Sequence, residues 1–173
     1  MITESQLKLI YPFSSGSKRA LYLPYFNEYL ADYEIDTDVR KQAYFAQVGH
    51  ESGQLNYCEE IASRKAYEGR LDLGNTEVGD GENFKGRGLI QITGRNNYQL
   101  ISKTYHVDFI SNPELLCSPE WAVKSSMWFW EYNELNKLAD LGDFRMLTRK
   151  INGGYNGLSD RIELFERCKI YIT

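Results

Sequence analysis

Phe84-Lys85-Gly86-Arg87-Gly88-Leu89-Ile90-Gln91-Ile92-Thr93-Gly94 is the most informative stretch of this chain. Its Lys-Gly-Arg-Gly start could cradle a phosphate, but the glycine spacing matches neither the P-loop nor the dinucleotide-binding fingerprint. Residues 88–93 alternate in polarity enough to predict a short strand, one arm of a small sheet. Side chains two residues apart on a strand share a face, so Gln91 and Thr93 would stand together on one wall. An amide and a hydroxyl so placed suit a sugar N-acetyl group and a positioned water. A strand packed for structure alone explains the same residues equally well.

Upstream, the stretch from about Cys58 to Lys85 is punctuated by Gly69, Gly74, Gly79 and Gly81 and reads as a long loop, a feature often tied to function. Before it, Thr37 and Asp38 open a helix with Val39, Ala43, Ala46 and His50 in one stripe, stopping at Gly49-His50-Glu51-Ser52-Gly53. Further back, Leu23, Phe26, Tyr29, Leu30 and Tyr33 recur at helical steps. Either Ser17 caps that helix and Pro24 kinks it, or it begins near Pro24.

Downstream, Asn96 to Tyr105 has helical spacing through Tyr98, Ile101 and Tyr105. Ser118-Pro119-Glu120 is a helix start, with a capping hydroxyl, a first-turn proline and an acid near the N-terminus. That helix carries Trp121, Ala122, Ser125, Trp128 and Phe129 on one broad face. Phe144, Leu147, Thr148 and Ile151 predict another, ending at Asn152-Gly153-Gly154. Ser159 is the predicted cap of the last, with Ile162, Phe165 and Cys168 facing inward. The sum is a mainly α, α+β fold with a small β element, residues 1–173 forming a single domain of two lobes around a cleft.

Composition narrows the function. A net charge of −4 and a pI near 5.3 argue against a nucleic-acid partner, which demands a basic footprint. No apolar run approaches membrane-spanning length, and MITESQLKLIYPFSSGSKRA lacks the apolar core of a signal peptide. The expectation is synthesis in the cytoplasm, without membrane insertion. Three widely spaced cysteines, Cys58, Cys117 and Cys168, make a poor disulfide framework and read as free thiols. The 13 Tyr and 3 Trp fit either a core or a surface that stacks on sugar rings.

Glu51 is the first candidate for chemistry: a carboxylate where a helix ends in glycine is rigidly held yet opens toward a cleft. Taken alone, such a glutamate is more often a solvated helix end. His50 is not half of an HExxH zinc site, because position 54 is Gln54, and His106 is the one other histidine. Glu59 and Glu60 follow after a short loop, and a glycosidase needs a second carboxylate across the scissile bond. Glu68, Asp72, Glu77, Asp80 and Glu82 compete for that role. The acids at 72–82 miss the spacing of an EF-hand, so no metal and no cofactor is expected.

Taken together, GHESG at 49–53, EIAS at 60–63, AYEGRLDLGNTEVGDGENFKGRGLIQITGRNNY at 66–98, WAVKSSMWFW at 121–130 and INGGYNGLSDR at 151–161 resemble glycoside hydrolase family 19, its chitinases and its phage and bacterial endolysins. The resemblance implies a lysozyme-like helical fold with a glycan cleft and an inverting mechanism that uses two glutamates. It makes Glu51 the general acid, Glu60 the general base and Thr93 a holder of the nucleophilic water. It puts Gln91, Asn97, Asn152 and Arg161 on the cleft. The plant members' disulfides, secretion signal and chitin-binding domain have no counterpart here. The compact form favours a monomeric cell-wall lysin acting on peptidoglycan after release by a holin or secretion system. Chitin is the rival glycan, and a catalytically silent glycan-binding protein the alternative of another class.

Overall fold

In the computed structural model, which describes residues 1–60 and 66–173, the chain is helical as expected. Residues 61–63 of the EIAS segment lie outside the described residues. The first helix, α1 (Glu4–Ile10), is too short to show a periodicity. It forms because Thr3 and Gln6 make a reciprocal capping box, which satisfies two amide groups that the helix cannot. Asn27 pins the chain start, its side chain accepting from the Ile2 amide at 2.7 Å and donating to the Ile2 carbonyl at 2.8 Å.

Helix α2 (Gly16–Tyr29) runs through Pro24, and its cap is Ser15 rather than Ser17. The Ser15 hydroxyl accepts from the Lys18 amide at 3.2 Å. Helix α3 (Asp38–Glu51) is capped by Thr37 as read. Its expected single stripe is a correction: every residue from Ala43 to Gly49 is buried, while Val39 is 44% exposed. A helix buried all round sits inside its domain, and α3 is the central post of this one. It packs most extensively against α9 (Leu158–Tyr171). A Cβ on Gly49 would lie 2.5 Å from the Tyr11 ring and 3.3 Å from Leu164, so glycine permits that approach. Tyr44 meets Phe26, Phe45 and Trp130 edge-on, which fixes α3 against α2 and against the helix at Pro119–Tyr132.

The loop region contains a 3-10 turn at Leu71–Leu73 and α4 (Asp80–Asn83). Three of its acids are ion-paired: Asp72 with Arg70, and Glu77 and Asp80 with Arg95. Arg95 and the Glu77 amide hold the Asp80 carboxyl below the usual carboxylate range against the opposing effect of burial. A depressed folded value favours folding above the ordinary value of about 3.9, and the contribution is lost as pH falls through the lower folded value. Asp80→Asn is therefore expected to flatten the acid limb of stability below about pH 4. Thermal unfolding of both proteins between pH 2 and pH 6 checks this; identical acid limbs would contradict it.

Helix α5 (Arg95–Tyr105) follows, then a 3-10 turn at Pro113–Cys117 and α6 (Pro119–Tyr132). Ser118 stands at the N-cap of α6, but its hydroxyl donates back to the Leu115 carbonyl at 2.8 Å and caps nothing. Helix α7 (Leu135–Asp140) and α8 (Phe144–Asn152) lead to Gly153 in the left-handed region at φ 75°. Helix α9 starts after Gly157 rather than at Ser159, and its buried residues are Arg161, Leu164 and Cys168. Ile162, predicted to face inward, is 41% exposed.

Residues 88–93 are not a strand. Gly88 at φ 81° and Gln91 at φ 59° bend the chain into a tight turn. Arg87 pairs with Ile92 across it and with Glu59 on the other side, as isolated antiparallel bridges. The apparent alternation arises because Leu89, Ile90 and Ile92 enter the core while Gln91 and Thr93 remain half-buried. The expected β element shrinks to these bridges. Among the described residues, no helix is long and apolar enough to cross a membrane.

Candidate active site

The end of α3, the segment around residues 57–60, the 88–93 turn and the end of α8 enclose a cavity of about 530 Å³. Glu51, Glu60, Gln91, Thr93 and Asn152 all line it. A second hollow of about 330 Å³ shares Tyr67, Gln91, Thr93 and Asn152 and adds Asn97 and Phe129, so the two form one continuous cleft. Apart from Arg161, the residues expected on the cleft are thus brought together.

Arg161 was expected on the cleft wall and lies behind it. It is 1% exposed, with Nη2 2.5 Å from Glu51 Oε1 and Nη1 2.5 Å from Gln47 Oε1. Gln47, itself fully buried, donates to Thr148 Oγ1 at 2.9 Å. This chain joins α9, α3 and α8 and fixes the Glu51 carboxylate with a strong charge-assisted bond. Glu51 is accordingly no solvated helix end: its side chain is 16% exposed and held from within.

The three candidates for a second carboxylate have different surroundings. Glu59 is engaged by Lys85 at 2.5 Å and Arg87 at 3.0 Å. Burial raises its carboxyl pKa, but the two cations outweigh burial and hold it below the usual range. Glu68 is exposed and accepts from the Gly79 and Gly81 amides at 2.7 and 2.9 Å, tying down the turn into α4. Among the described residues, Glu60 accepts from the Tyr67 hydroxyl at 2.7 Å and the Gly86 amide at 3.3 Å and makes no ion pair. Glu59 and Glu60 both line the cavity, and these neutral donors to Glu60 contrast with the two cations on Glu59. Tyr67 in turn has its phenol pushed up to about 12 by burial and by Glu60.

Gln91 is held by its own strained backbone and by Nε2 donating to the Gly88 carbonyl at 3.1 Å. Among the described residues its Oε1 is buried without a partner, an unsatisfied acceptor on a side chain that lines the cavity. Thr93 Oγ1 donates to the Gln91 carbonyl at 2.8 Å, which leaves its lone pairs for a water or a ligand hydroxyl. Asn97 caps this turn, donating to the Thr93 carbonyl at 2.7 Å. Asn152 Oδ1 accepts from the Asn156 amide at 3.2 Å and shapes the loop before α9.

Sequence reasoning missed Gln47, Tyr57 and Tyr67. Tyr57 is 53% exposed and lines the cavity, whereas Trp128 and Trp130 are buried in the core and Trp121 packs against it. The aromatic richness thus serves mostly the core. His50 Nδ1 lies 2.5 Å from Asp160 Oδ2, and its ring covers Gly157, where a Cβ would come within 2.2 Å. His50 therefore latches α3 to the start of α9. Among the described residues, no group of three or more His, Cys, Asp or Glu could hold a metal ion.

The family model described as chitinase class I, glycoside hydrolase family 19, matches residues 30–141. A glycosyl hydrolase family 19 domain-containing protein of Haemophilus influenzae is 32% identical over 164 residues, covering 77% of each chain. An endochitinase of Arabidopsis thaliana is 39% identical over 113 residues, 65% of this chain and 38% of that one. This chain thus spans well under half the length of that plant relative. The fold is shared with chitinase C of Streptomyces griseus (TM-score 0.77, 24% identity, 99% of this chain and 76% of that one). It is also shared with a class IV chitinase of Zea mays (TM-score 0.75, 23% identity, 99% and 92%).

Proposed function

The chain belongs to glycoside hydrolase family 19, and from that premise we propose that this glycosidase is an inverting hydrolase of β-1,4-linked N-acetylglucosamine glycans, with Glu51 as acid and Glu60 as base. The observation that carries this reading is the convergence of both carboxylates, each differently held, on one cavity with Gln91 and Thr93. Glu51 protonates the glycosidic oxygen. Glu60 takes a proton from a water that attacks the opposite face of the ring, a geometry needing carboxyl groups roughly 6.5–9.5 Å apart. Thr93 holds that water, and Gln91 turns its unsatisfied, buried acceptor into the cleft to receive a sugar acetamide N–H. Arg161 acts through Glu51, keeping it aimed. Residues 1–173 act as one domain and as a monomer.

For the glycan we propose peptidoglycan, acted on outside the membrane after release from the cytoplasm. Support comes from the relative matched over most of both chains, which is bacterial. Chitin is the second reading, favoured by the plant relatives that are named endochitinases. Digestion of purified peptidoglycan and of chitin oligomers, followed by mass spectrometry, tests the choice. New reducing-end aminosugars from peptidoglycan are expected; cleavage of chitin alone would overturn the proposal.

Gly86 offers a test of the base. A Cβ there would lie 2.8 Å from Gln91 Oε1 and 3.1 Å from Glu60 Oε2. Gly86→Ala has ordinary backbone angles to occupy, so it should fold while displacing the Glu60 carboxylate and the Gln91 amide. A kcat lower by about 10- to 100-fold is expected, the scale of a misplaced reacting group. Unchanged kcat would count against Glu60.

A further inference from the structure

Cys58 and Cys117 are 59 positions apart in sequence and adjacent in space. The Cys117 thiol donates to the Cys58 carbonyl at 2.8 Å, which sets its sulfur against the Cys58 backbone. The Tyr22 phenol and the Lys18 ammonium lie near enough to act on the Cys58 thiol. Both cysteines are half-buried and within reach of a small reagent, whereas Cys168 is buried on α9. The Cys58 carbonyl also accepts from the Gly88 amide at 2.8 Å, and Cys58 stands two residues before Glu60. Cys117 closes the 3-10 turn directly before α6.

We propose that Cys58 and Cys117 are a reversible disulfide site that clasps the Glu60-bearing segment to the start of α6, formed by exchange with a low-molecular-weight disulfide. The proposal is independent of which glycan the cleft accepts. The neighbouring Cys117 thiol lowers the Cys58 thiol to about 6, with help from Lys18 and against burial. Cys58 in turn, with burial, raises Cys117. The pair thus behaves as one thiolate at Cys58 and one thiol at Cys117, the arrangement of an attacking and a resolving sulfur.

The Cys58 thiolate attacks one sulfur of the small disulfide, forming a mixed disulfide and expelling one small thiolate. Cys117 then gives its proton to solvent, and its thiolate attacks the Cys58 sulfur and expels the second small thiolate. Two protein thiols are oxidised, the small disulfide is reduced to two thiols, and the expelled thiolates take up protons. With the Cys117 sulfur already seated against the Cys58 carbonyl, closure asks the Cys58 side chain to rotate toward it until the sulfurs reach the bond length of about 2.05 Å. Such a pair is reduced in a reducing compartment and closed in an oxidising one.

The folded protein is incubated in glutathione buffers of graded ratio, trapped with N-ethylmaleimide and mapped by peptide mass. The expected result is a linked Cys58–Cys117 peptide pair, with Cys168 modified after denaturation only. The oxidised protein should melt about 5 °C or more above the reduced one, a gain reversed by dithiothreitol and missing in Cys117→Ser. Cys58 alkylation in the reduced protein should be half-maximal near pH 6 and shift upward in Cys117→Ser. Glutathione on Cys58 without a Cys58–Cys117 link, or a link that forms in denatured protein alone, would overturn the proposal.

Discussion

Glu51→Gln is expected to lower kcat by about 10²- to 10⁴-fold, the usual worth of a positioned general acid. Glutamine keeps the shape of the side chain and still accepts from Arg161, but it has no acidic proton for the leaving oxygen. The substitution also has a structural effect, because Arg161 is 1% exposed and Glu51 is its ion-pair partner. Removing the partner of a buried charge costs about 3–5 kcal/mol. The retained hydrogen bond and the 16% exposure of Glu51 place this variant at or below the lower end of that range. It should therefore fold, melt a few degrees lower and bind glycan without cutting it. Turnover of a soluble oligomer, thermal unfolding and oligomer binding together check this. Near-normal turnover in a folded variant would remove Glu51 from the reaction.

Arg161→Ala is expected to have the largest effect on stability. It strips the charge partner from Glu51 and the donor from the fully buried Gln47, and it leaves a void between α9 and α3. A loss of about 3–5 kcal/mol is expected, which lowers Tm by about 10 °C in a chain of this size. Arg161→Lys separates charge from geometry, since an ammonium is a point charge and lacks the planar fork that reaches Gln47 and Glu51 together. It should recover part of the stability but little of the activity, because Glu51 would be held by charge and no longer aimed. Arg161→Lys turning over at the wild-type rate would show that the aim of Glu51 does not depend on the fork. Arg161→Ala with an unchanged Tm would show that the pair contributes nothing to folding.

Much of the fold could be read from local chemistry. Thr37 capping α3, Pro119 opening α6 and Gly153 closing α8 are decided within a few residues, and the structure has each in place. The misreadings occur where tertiary contacts overrule local pattern. The 88–93 stretch alternates like a strand, yet Gly88 and Gln91 adopt left-handed angles and turn it. The stripe on α3 was read too narrowly because burial on all sides is a property of what surrounds the helix.

The site was legible in part for the same reason. Glu51, Glu60, Gln91 and Thr93 stand in recognisable motifs, and all four line one cavity. Two things were beyond the sequence. One is that Lys85 and Arg87 occupy Glu59 while Tyr67 and Gly86 address Glu60 through neutral donors, a distinction set by three-dimensional contact. The other is that Arg161, 110 positions from Glu51, reaches it from behind the cleft.

The central claim is that Glu51 and Glu60 act on one glycosidic bond with a water between them. The configuration of the first-formed product tests it most directly. Proton NMR of the anomeric region, followed through the first minutes of hydrolysis of a β-1,4 N-acetylglucosamine-containing oligomer, should show the new reducing end appearing as the α-anomer. Initial appearance of the β-anomer would mean retention, through a covalent or acetamide-assisted intermediate, and would contradict the account.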